Sequence, residues 1–211
     1  MHTAFTFDII SHMETEIEAK FPDIKVKSLR IKLKKIGAIL EHPEILMKRR
    51  TFDLPDRGLN KIGGWIRVRD EGDKITLSYK QLNDRTLHGT KEVTVIVNNF
   101  EKTCEFLISI GMKMKSYQET KREKWKYKGV EITIDTWPWV PTFVELEGST
   151  EELVKKVAND LELDWRQVLH GSVEPIYQMH YDFTDEEIDH WESITFISPP
   201  EWLLKKKIIK K

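Results

Sequence analysis

Acidic and basic side chains alternate with apolar ones near the start of the chain, in the segment Glu16–Lys20. A β-strand directs alternate side chains to opposite faces, so Glu16, Glu18 and Lys20 share one face. Three formal charges of mixed sign are costly to bury unless partners satisfy them. Carboxylate oxygens suit hard divalent cations, and an ammonium group suits an anion such as phosphate. This face therefore has the chemistry of a metal or phosphate site, although water is the simpler occupant.

Later segments repeat this alternation with complementary charges. The polar positions are Arg67 and Arg69; Thr76, Ser78 and Lys80; Glu92 and Thr94; Thr133 and Asp135; and Glu145 and Glu147. A single polar strand face is most simply explained by exposure to solvent. Taken together, however, the acidic pairs fall in the first and last strands, whereas the arginine pair and the lysine fall in the middle ones. A solvated face normally mixes its charges freely, so this segregation indicates a site.

A sheet closed with its polar face inward would form a narrow tunnel of fixed charge. Cationic side chains in such a tunnel would hold a polyanion through charge-assisted hydrogen bonds. Carboxylates would hold hard divalent metal ions, which prefer oxygen ligands. Phosphoryl chemistry needs both kinds of group. The candidate set is therefore the cations Arg67, Arg69, Lys80 and Arg122 with the carboxylates Glu16, Glu18, Glu145 and Glu147.

The elements that must position these residues are mostly strands. Alternation and turn residues predict strands over residues 14–21, 45–52, 65–69, 74–82, 91–97, 119–127, 129–136 and 142–147. Helical spacing predicts helices over residues 23–39, 100–110, 150–161 and 185–189. Because short turns join most neighbouring strands, the pattern favours an α+β fold with an antiparallel sheet or barrel and helices packed outside.

Composition limits the class of protein. The chain has 211 residues, of which 39% are hydrophobic, and this suits one medium domain with a substantial core. A net charge of −1 gives no reason to expect a nucleic-acid or membrane partner. The single cysteine, Cys104, excludes an internal disulfide, and no apolar run approaches the roughly 20 residues that span a bilayer. We expect a cytoplasmic protein, with Cys104 in the core and Lys205–Lys211 as a solvated tail.

The segment Glu16–Lys20 resembles the ExExK signature of the CYTH superfamily, also called the triphosphate tunnel metalloenzymes. Three fixed positions in five residues are a weak signal, and the order of the later motifs strengthens it. These motifs are Trp65–Arg69, Lys80, Glu92, Thr120–Arg122, Ile132–Asp135 and Phe143–Glu147. Because the similarity runs from about residue 14 to about residue 180, we assign residues 1–181 to a tunnel domain and 182–211 to a C-terminal extension.

The resemblance implies an eight-stranded antiparallel tunnel, a closed barrel with a charged interior and helices outside. It implies a bound triphosphate with two Mg²⁺ or Mn²⁺ ions, and it is compatible with a homodimer. The catalytic residues that it implies are Glu16, Glu18 and Lys20. It implies that Lys20, Arg67, Arg69, Lys80 and Arg122 bind the phosphates, and to this phosphate-binding set we add Arg50. The metal-binding set is Glu16, Glu18, Glu92, Asp135, Glu145 and Glu147, in which Asp135 would either help to bind metal or orient the cations.

Three segments depart from the family's pattern, and one is the strand at Glu92, where relatives commonly carry an Arg and a second Glu and this chain has Lys91 or Thr90 and Thr94. Relatives often have an acidic or Gln residue in the second strand, where this chain has Lys48, Arg49 and Arg50. These cations either add a phosphate contact or point outward, and the sequence leaves their orientation open. For the phosphate contact we choose Arg50. The loop Trp137–Pro141 replaces a turn that often contains glycine. Its aromatic residues line the tunnel mouth or, as is commoner, pack on the core.

Three functions are compatible with these residues. We expect first a hydrolase of inorganic triphosphate or a related organic triphosphate, because the charged set recognises phosphates and no segment identifiably reads adenine. The alternative is a class IV adenylyl cyclase, which converts ATP into cyclic AMP and pyrophosphate. A third interpretation, of a different class, is a non-catalytic module that binds a nucleotide or polyphosphate with an incomplete metal set. The expected partner is a small triphosphate in each case.

Overall fold

Eight antiparallel strands close into a barrel in the computed structural model, which describes residues 13–209. The strands are β1 (Glu14–Phe21), β2 (Ile39–Asp53), β3 (Gly64–Asp70), β4 (Ile75–Leu82), β5 (Thr90–Val97), β6 (Lys113–Tyr127), β7 (Val130–Thr136) and β8 (Phe143–Gly148). Neighbouring strands follow the order β2-β3-β4-β5-β1-β8-β7-β6, and pairing of β2 with β6 closes the ring. The predicted α+β class and the predicted eight-stranded closed barrel are confirmed.

Within the described residues, six α-helices lie outside the barrel wall. They are α1 (Val26–Lys35), α2 (Phe100–Ser109), α3 (Glu151–Asp160), α4 (Glu174–Gln178), α5 (Asp185–Asp189) and α6 (Glu201–Leu204). Helices α1 and α3 cover the outer faces of β1, β7 and β8, where Leu33, Val157 and Ile132 are fully buried. Helix α2 covers β2 and β3, where Leu107 packs with Phe52. Burial of this apolar area, at roughly 25 cal/mol per Å², stabilises the wall.

The strand alternation gives the barrel an apolar outside and a charged inside. On β1, Ala19 and Phe21 belong to the core beneath the helices, whereas Glu18 and Lys20 line the interior. This is the period-two pattern of a strand with two different environments. Because every wall strand is paired on both sides, the interior side chains stand on a rigid scaffold.

The boundaries of three elements, α1, β2 and β6, differ clearly from the predictions. The predicted helix over residues 23–39 is too long at both ends, since α1 covers only Val26–Lys35. Gly37, at φ +80°, adopts a left-handed conformation that terminates a helix. From Ile39 onward the chain instead joins β2, which pairs with β6 through register shifts between Leu40 and Ile45. This long-range pairing overrides the local helical spacing, and it also extends β6 back to Lys113.

The C-terminal segment packs against one end of the barrel. Helices α4 to α6 and the short strand β9 (Ser193–Ile194), which adds to β6 in parallel, surround an aromatic cluster. Tyr177 in this cluster packs against Phe183 and Trp191, so one core spans the proposed boundary at residue 181. The division into residues 1–181 and 182–211 stays a prediction.

Two smaller expectations can be compared with the structure. Cys104 lies on the buried face of α2, in the core as predicted. The described tail residues 205 and 207–209 are exposed, as expected for a solvated tail, but backbone hydrogen bonds join Lys206 to Asp182 and Ile208 to His180, so the tail is attached to the protein. The tail residues 210 and 211 lie outside the described residues. Across residues 13–209 we find no helix with the length and apolar character needed to cross a bilayer.

Candidate active site inside the barrel

The barrel interior encloses a cavity of about 540 Å³. Strand alternation brings to its lining residues that are far apart in sequence. The predicted site residues that line it are Glu16, Glu18, Lys20, Arg67, Arg69, Lys80, Glu92, Arg122, Glu145 and Glu147. The structure therefore brings ten of the twelve predicted site residues to the cavity lining, and it places Arg50 and Asp135 elsewhere.

Guanidinium groups crowd the wall formed by β2 and β3. Arg49 lies directly opposite Arg69 in the β2–β3 ladder, and Arg67 lies two residues before Arg69 on β3. Burial, and then the charges of Arg69 and Arg67, lower the pKa of Arg49 well below its usual value. Burial and the charge of Arg69 likewise lower the pKa of Arg67 to about 10. Such shifts indicate positive charge without full compensation, so this wall favours an anion.

Carboxylates crowd the wall formed by β1 and β8. This wall faces the wall formed by β2 and β3, because β1 lies four places from β2, and β8 four places from β3, around the eight-stranded ring. Glu18 lies opposite Glu147 in the β1–β8 ladder, and Glu131 of β7 flanks Glu147 on its other side. Burial raises the pKa of Glu18 to about 7 even though Lys20 opposes the shift. Burial, followed by a hydrogen bond with a neighbouring carboxyl, raises the pKa of Glu16 to about 8. This wall favours a cation or a proton.

Two lysines each stand between a pair of carboxylates. Lys20 Nζ lies 2.7 Å from Glu18 Oε1 and 3.6 Å from Glu145 Oε2. Lys80 Nζ lies 2.8 Å from an oxygen of Glu16 and 3.1 Å from one of Glu92. Burial works against a charged lysine here, but the neighbouring carboxylates raise the pKa of Lys20 above its usual value. The ion pairs keep both ammonium groups at the boundary between the two walls.

Asp135 acts on a neighbouring arginine in this structure. Its two carboxylate oxygens accept hydrogen bonds from Arg122 Nε and Nη2 at 2.7 and 3.0 Å, and Thr133 Oγ1 donates to it at 2.5 Å. Asp135 is completely inaccessible to solvent, whereas Arg122 lines the cavity. The arrangement makes Asp135 a positioning residue for Arg122, and its role as a metal ligand stays a prediction.

Arg50 points away from the cavity. Its Nη1 lies 2.5 Å from Glu101 Oε2, and its guanidinium lies 5.2 Å from the centre of the Phe100 ring on α2. The prediction that Arg50 faces the tunnel is therefore wrong, and its neighbour Arg49 lines the cavity in its place. Three consecutive cations hid the direction of the strand. The apolar Phe52, which shares a face with Arg50 and packs against α2, was the available signal.

Sequence reasoning also missed acidic residues that line the cavity and the part of the C-terminal segment that forms its wall at one end. Glu71 accepts hydrogen bonds from Arg69 at 2.9 and 2.6 Å, and Glu131 pairs with Lys124. Glu71 immediately follows β3 and looked like part of a turn. At the covered end, Asp189 of α5 pairs with cations from the barrel, so the C-terminal segment forms part of the cavity wall.

The loop Trp137–Pro141 packs on the protein, which is the commoner of the two expectations. Tyr177 donates a hydrogen bond from its hydroxyl to the Pro138 carbonyl oxygen at 2.8 Å, and the Trp137 ring packs edge-on against Tyr177. The Trp137 ring also lies 4.7 Å from the guanidinium carbon of Arg49. The loop therefore anchors the C-terminal segment and supports one arginine of the cavity.

Comparison with known proteins agrees with this geometry. A model of the CYTH domain matches residues 14–186. The chain belongs to the CYTH family. No curated protein matches the chain significantly.

Solved structures share the fold of this CYTH chain. The PH1012 protein from Pyrococcus horikoshii is 21% identical with a TM-score of 0.64, over 76% of this chain and 98% of that one. A candidate adenylate cyclase from Vibrio parahaemolyticus is 15% identical with a TM-score of 0.68, over 78% and 98%. HpAC1 from Hippeastrum, a candidate adenylyl cyclase, is 13% identical with a TM-score of 0.52, over 79% and 96%. These likenesses establish the fold, and the reaction must be argued from the site.

Proposed function

We propose that this CYTH protein is a divalent-metal-dependent enzyme that hydrolyses a small triphosphate inside its barrel. The observation that carries the proposal is the separation of charge between facing walls of one cavity. The arginine wall, formed by β2 and β3, suits the phosphates of the substrate. The acidic wall, formed by β1 and β8, suits a cation. Phosphoryl transfer uses both, since metal ions and cationic side chains together offset the charge of the transferred group.

The acidic wall has the donor chemistry of a site for Mg²⁺ or Mn²⁺. Glu18, Glu147 and Glu131 form a row across β1, β8 and β7 and offer only oxygen ligands. The raised pKa values of Glu16 and Glu18 are relieved when a cation neutralises the group. Among the described residues, no three acidic, histidine or cysteine side chains already form a metal-binding arrangement. Binding of the ion would therefore replace the lysine partners of Glu16 and Glu18.

The chain's own groups would divide the remaining work. Arg67 and Arg69 would bind phosphate oxygens, and the planar guanidinium allows two parallel hydrogen bonds. Lys20, which stays charged between its two carboxylates, would offset charge on the phosphoryl group under attack. A carboxylate of the acidic wall that does not bind the ion, Glu16 or Glu18, would accept the proton of the attacking water. When bound, the divalent cation would neutralise phosphate charge and acidify that water.

Hydrolysis is favoured over cyclisation of ATP by the fixed charges of the cavity, which suit phosphates, and by the contacts of two of its aromatic residues, Trp137 and Trp191, although Trp65 also lines it. Trp137 is held between Arg49 and Tyr177, and Trp191 packs against Phe183 at 4.9 Å between ring centres. A ring that stacks on adenine needs a free face. The fixed charges around these rings recognise phosphates instead. HpAC1, which shares this fold, has a dominant triphosphatase activity, so the fold is compatible with hydrolysis.

Product analysis tests the proposal directly. Purified protein is incubated separately with tripolyphosphate, ATP and thiamine triphosphate, each with Mg²⁺ or Mn²⁺, and the products are resolved. We expect metal-dependent release of orthophosphate from at least tripolyphosphate. Cyclic AMP and pyrophosphate from ATP, without orthophosphate from tripolyphosphate, would establish the cyclase. Binding of all three compounds without turnover would establish the non-catalytic module.

A pair of isosteric variants separates the site from a general effect on the protein. Glu18→Gln removes a carboxylate of the acidic wall while it keeps the side-chain volume, and we expect metal-dependent turnover to be lost. Glu105→Gln makes the same change at an exposed position on α2, and turnover should be unchanged. Full activity of Glu18→Gln, with the same metal dependence as the parent protein, would contradict the assignment of the acidic wall.

A further inference from the structure

Arg49 is a buried cation whose contacts differ from those of the other cavity arginines. Only 6% of its surface is exposed. Its Nη2 donates a hydrogen bond to Thr120 Oγ1 at 2.7 Å, and Trp137 lies against its guanidinium. Within residues 13–209, its Nε is buried without a hydrogen-bond partner, and no carboxylate lies within 4.0 Å of its nitrogens.

Each of the other four arginines that line the cavity has an acidic partner, and Arg85 pairs with Asp185 at 2.7 Å. Arg67 pairs with Glu92 at 3.2 Å, Arg69 pairs with Glu71 at 2.6 Å, and Arg122 pairs with Asp135 at 2.7 Å. A buried charge without an ion pair is costly to a folded protein. Nearby guanidinium groups increase that cost for Arg49, and a hydroxyl and an aromatic ring offset only part of it. An unpaired buried charge in the lining of a cavity is typical of a binding site whose ligand supplies the opposite charge.

We propose that Arg49 is an additional phosphate-binding residue, which together with its ladder partner Arg69 binds one phosphoryl group of the triphosphate. The two residues are direct ladder partners on β2 and β3 and both line the cavity. Trp137 supports the guanidinium on one side, and Nε has no hydrogen-bond partner within the described residues. The inference rests on the proposed function and adds to it a ligand from β2, the strand in which the resemblance places no such arginine.

The adjacent Arg50 provides a matched control. It differs from Arg49 by one position on the same strand, but its guanidinium pairs with Glu101 outside the barrel. We would measure the affinity of the full chain for tripolyphosphate by calorimetry, without metal and with Mg²⁺. Loss of a hydrogen bond to a charged group corresponds to roughly a ten- to hundredfold weaker affinity, and we expect this for Arg49→Met. For Arg50→Met we expect a change below about twofold.

Thermal unfolding distinguishes ligand binding from a structural role. If Arg49 binds the ligand, tripolyphosphate should raise the melting temperature of Arg49→Met less than that of the parent protein at equal concentration. Arg49→Lys keeps the charge but loses the planar fork, so its affinity should lie between those of the parent and Arg49→Met. If Arg49→Met does not fold, a tenfold weaker affinity of Arg49→Lys carries the same conclusion, and an unchanged affinity overturns it.

The failure of this inference can be told apart from the failure of the proposed function. If the parent protein binds tripolyphosphate and Arg49→Met binds it equally well, Arg49 is structural and the inference is overturned. If the parent protein does not bind tripolyphosphate with or without Mg²⁺, the proposed function and the inference are both overturned.

Discussion

Replacement of Asp135 by Asn tests whether this carboxylate positions Arg122 or binds a metal. Asp135 is fully buried, and both of its oxygens accept hydrogen bonds from the Arg122 guanidinium. Asn keeps the shape and one oxygen acceptor but removes the charge. The substitution therefore leaves a buried guanidinium with a weaker partner, and its main effect should be on the stability of the barrel rather than on metal affinity.

The size of the effect follows from the contacts. Removing one partner of a buried ion pair costs about 3–5 kcal/mol. Arg122 retains a second, longer contact with Glu145 at 3.8 Å, and Asn can still accept from Nε. We therefore expect the lower end of the range, about 3 kcal/mol. For a chain of this size that corresponds to a decrease of roughly 6–12 °C in melting temperature.

Two assays on Asp135→Asn decide between the roles. Denaturation by urea gives the change in free energy of unfolding, and calorimetric titration with Mn²⁺ gives the metal affinity. Asp73→Asn, at an exposed turn position, controls for loss of one negative charge. We expect Asp135→Asn to be destabilised and to bind Mn²⁺ within about threefold of the parent protein. Unchanged stability together with a metal affinity weaker by about tenfold or more would refute the positioning role.

Three further predictions follow from the same structure. Lys80→Ala should weaken tripolyphosphate affinity by roughly tenfold in calorimetry, and an unchanged affinity would remove this residue from the site. In metal-free buffer the free energy of unfolding should fall as pH rises from about 5 to 8, because burial raises the pKa of Glu16 and Glu18 and the folded chain binds more protons there. Glu16→Gln should flatten that slope in urea denaturation, and an identical slope would contradict the assignment. Leu33→Ala, on the buried face of α1, should cost about 2–5 kcal/mol of stability by the same assay, and a cost below 1 kcal/mol would show that this contact matters little.

Period-two alternation made the barrel wall predictable from the sequence. Glu18 and Lys20 alternate with Ala19 and Phe21, and one polar face had to lie on the side away from the helices. The same reasoning fixed the inward direction of Arg67 on β3. These conclusions depend on local order alone, so they did not require knowledge of the strand pairing.

The orientation of β2 and the partner of Asp135 could not be read in this way. Lys48, Arg49 and Arg50 present no apolar position between them, so this run alone carries no information about direction, and the signal of Phe52 just beyond it was not used. Pairing with β6 fixes that direction, and it is a contact between distant parts of the chain. Asp135 likewise looks like any inward carboxylate until the distance to Arg122 is known. The residues that sequence reasoning misplaced are those whose roles are set by tertiary contacts.

A crystal structure with Mn²⁺ and a non-hydrolysable imido analogue of tripolyphosphate tests the central claim most directly. Anomalous scattering locates the metal independently of the phosphates. We expect a manganese peak at about 2.0–2.3 Å from carboxylate oxygens of the acidic wall, including Glu18 or Glu147. We expect the phosphates in the same cavity, within hydrogen-bond distance of Arg67 and Arg69. Metal and analogue bound on the outer surface of the barrel, with the cavity free of both, would contradict the account.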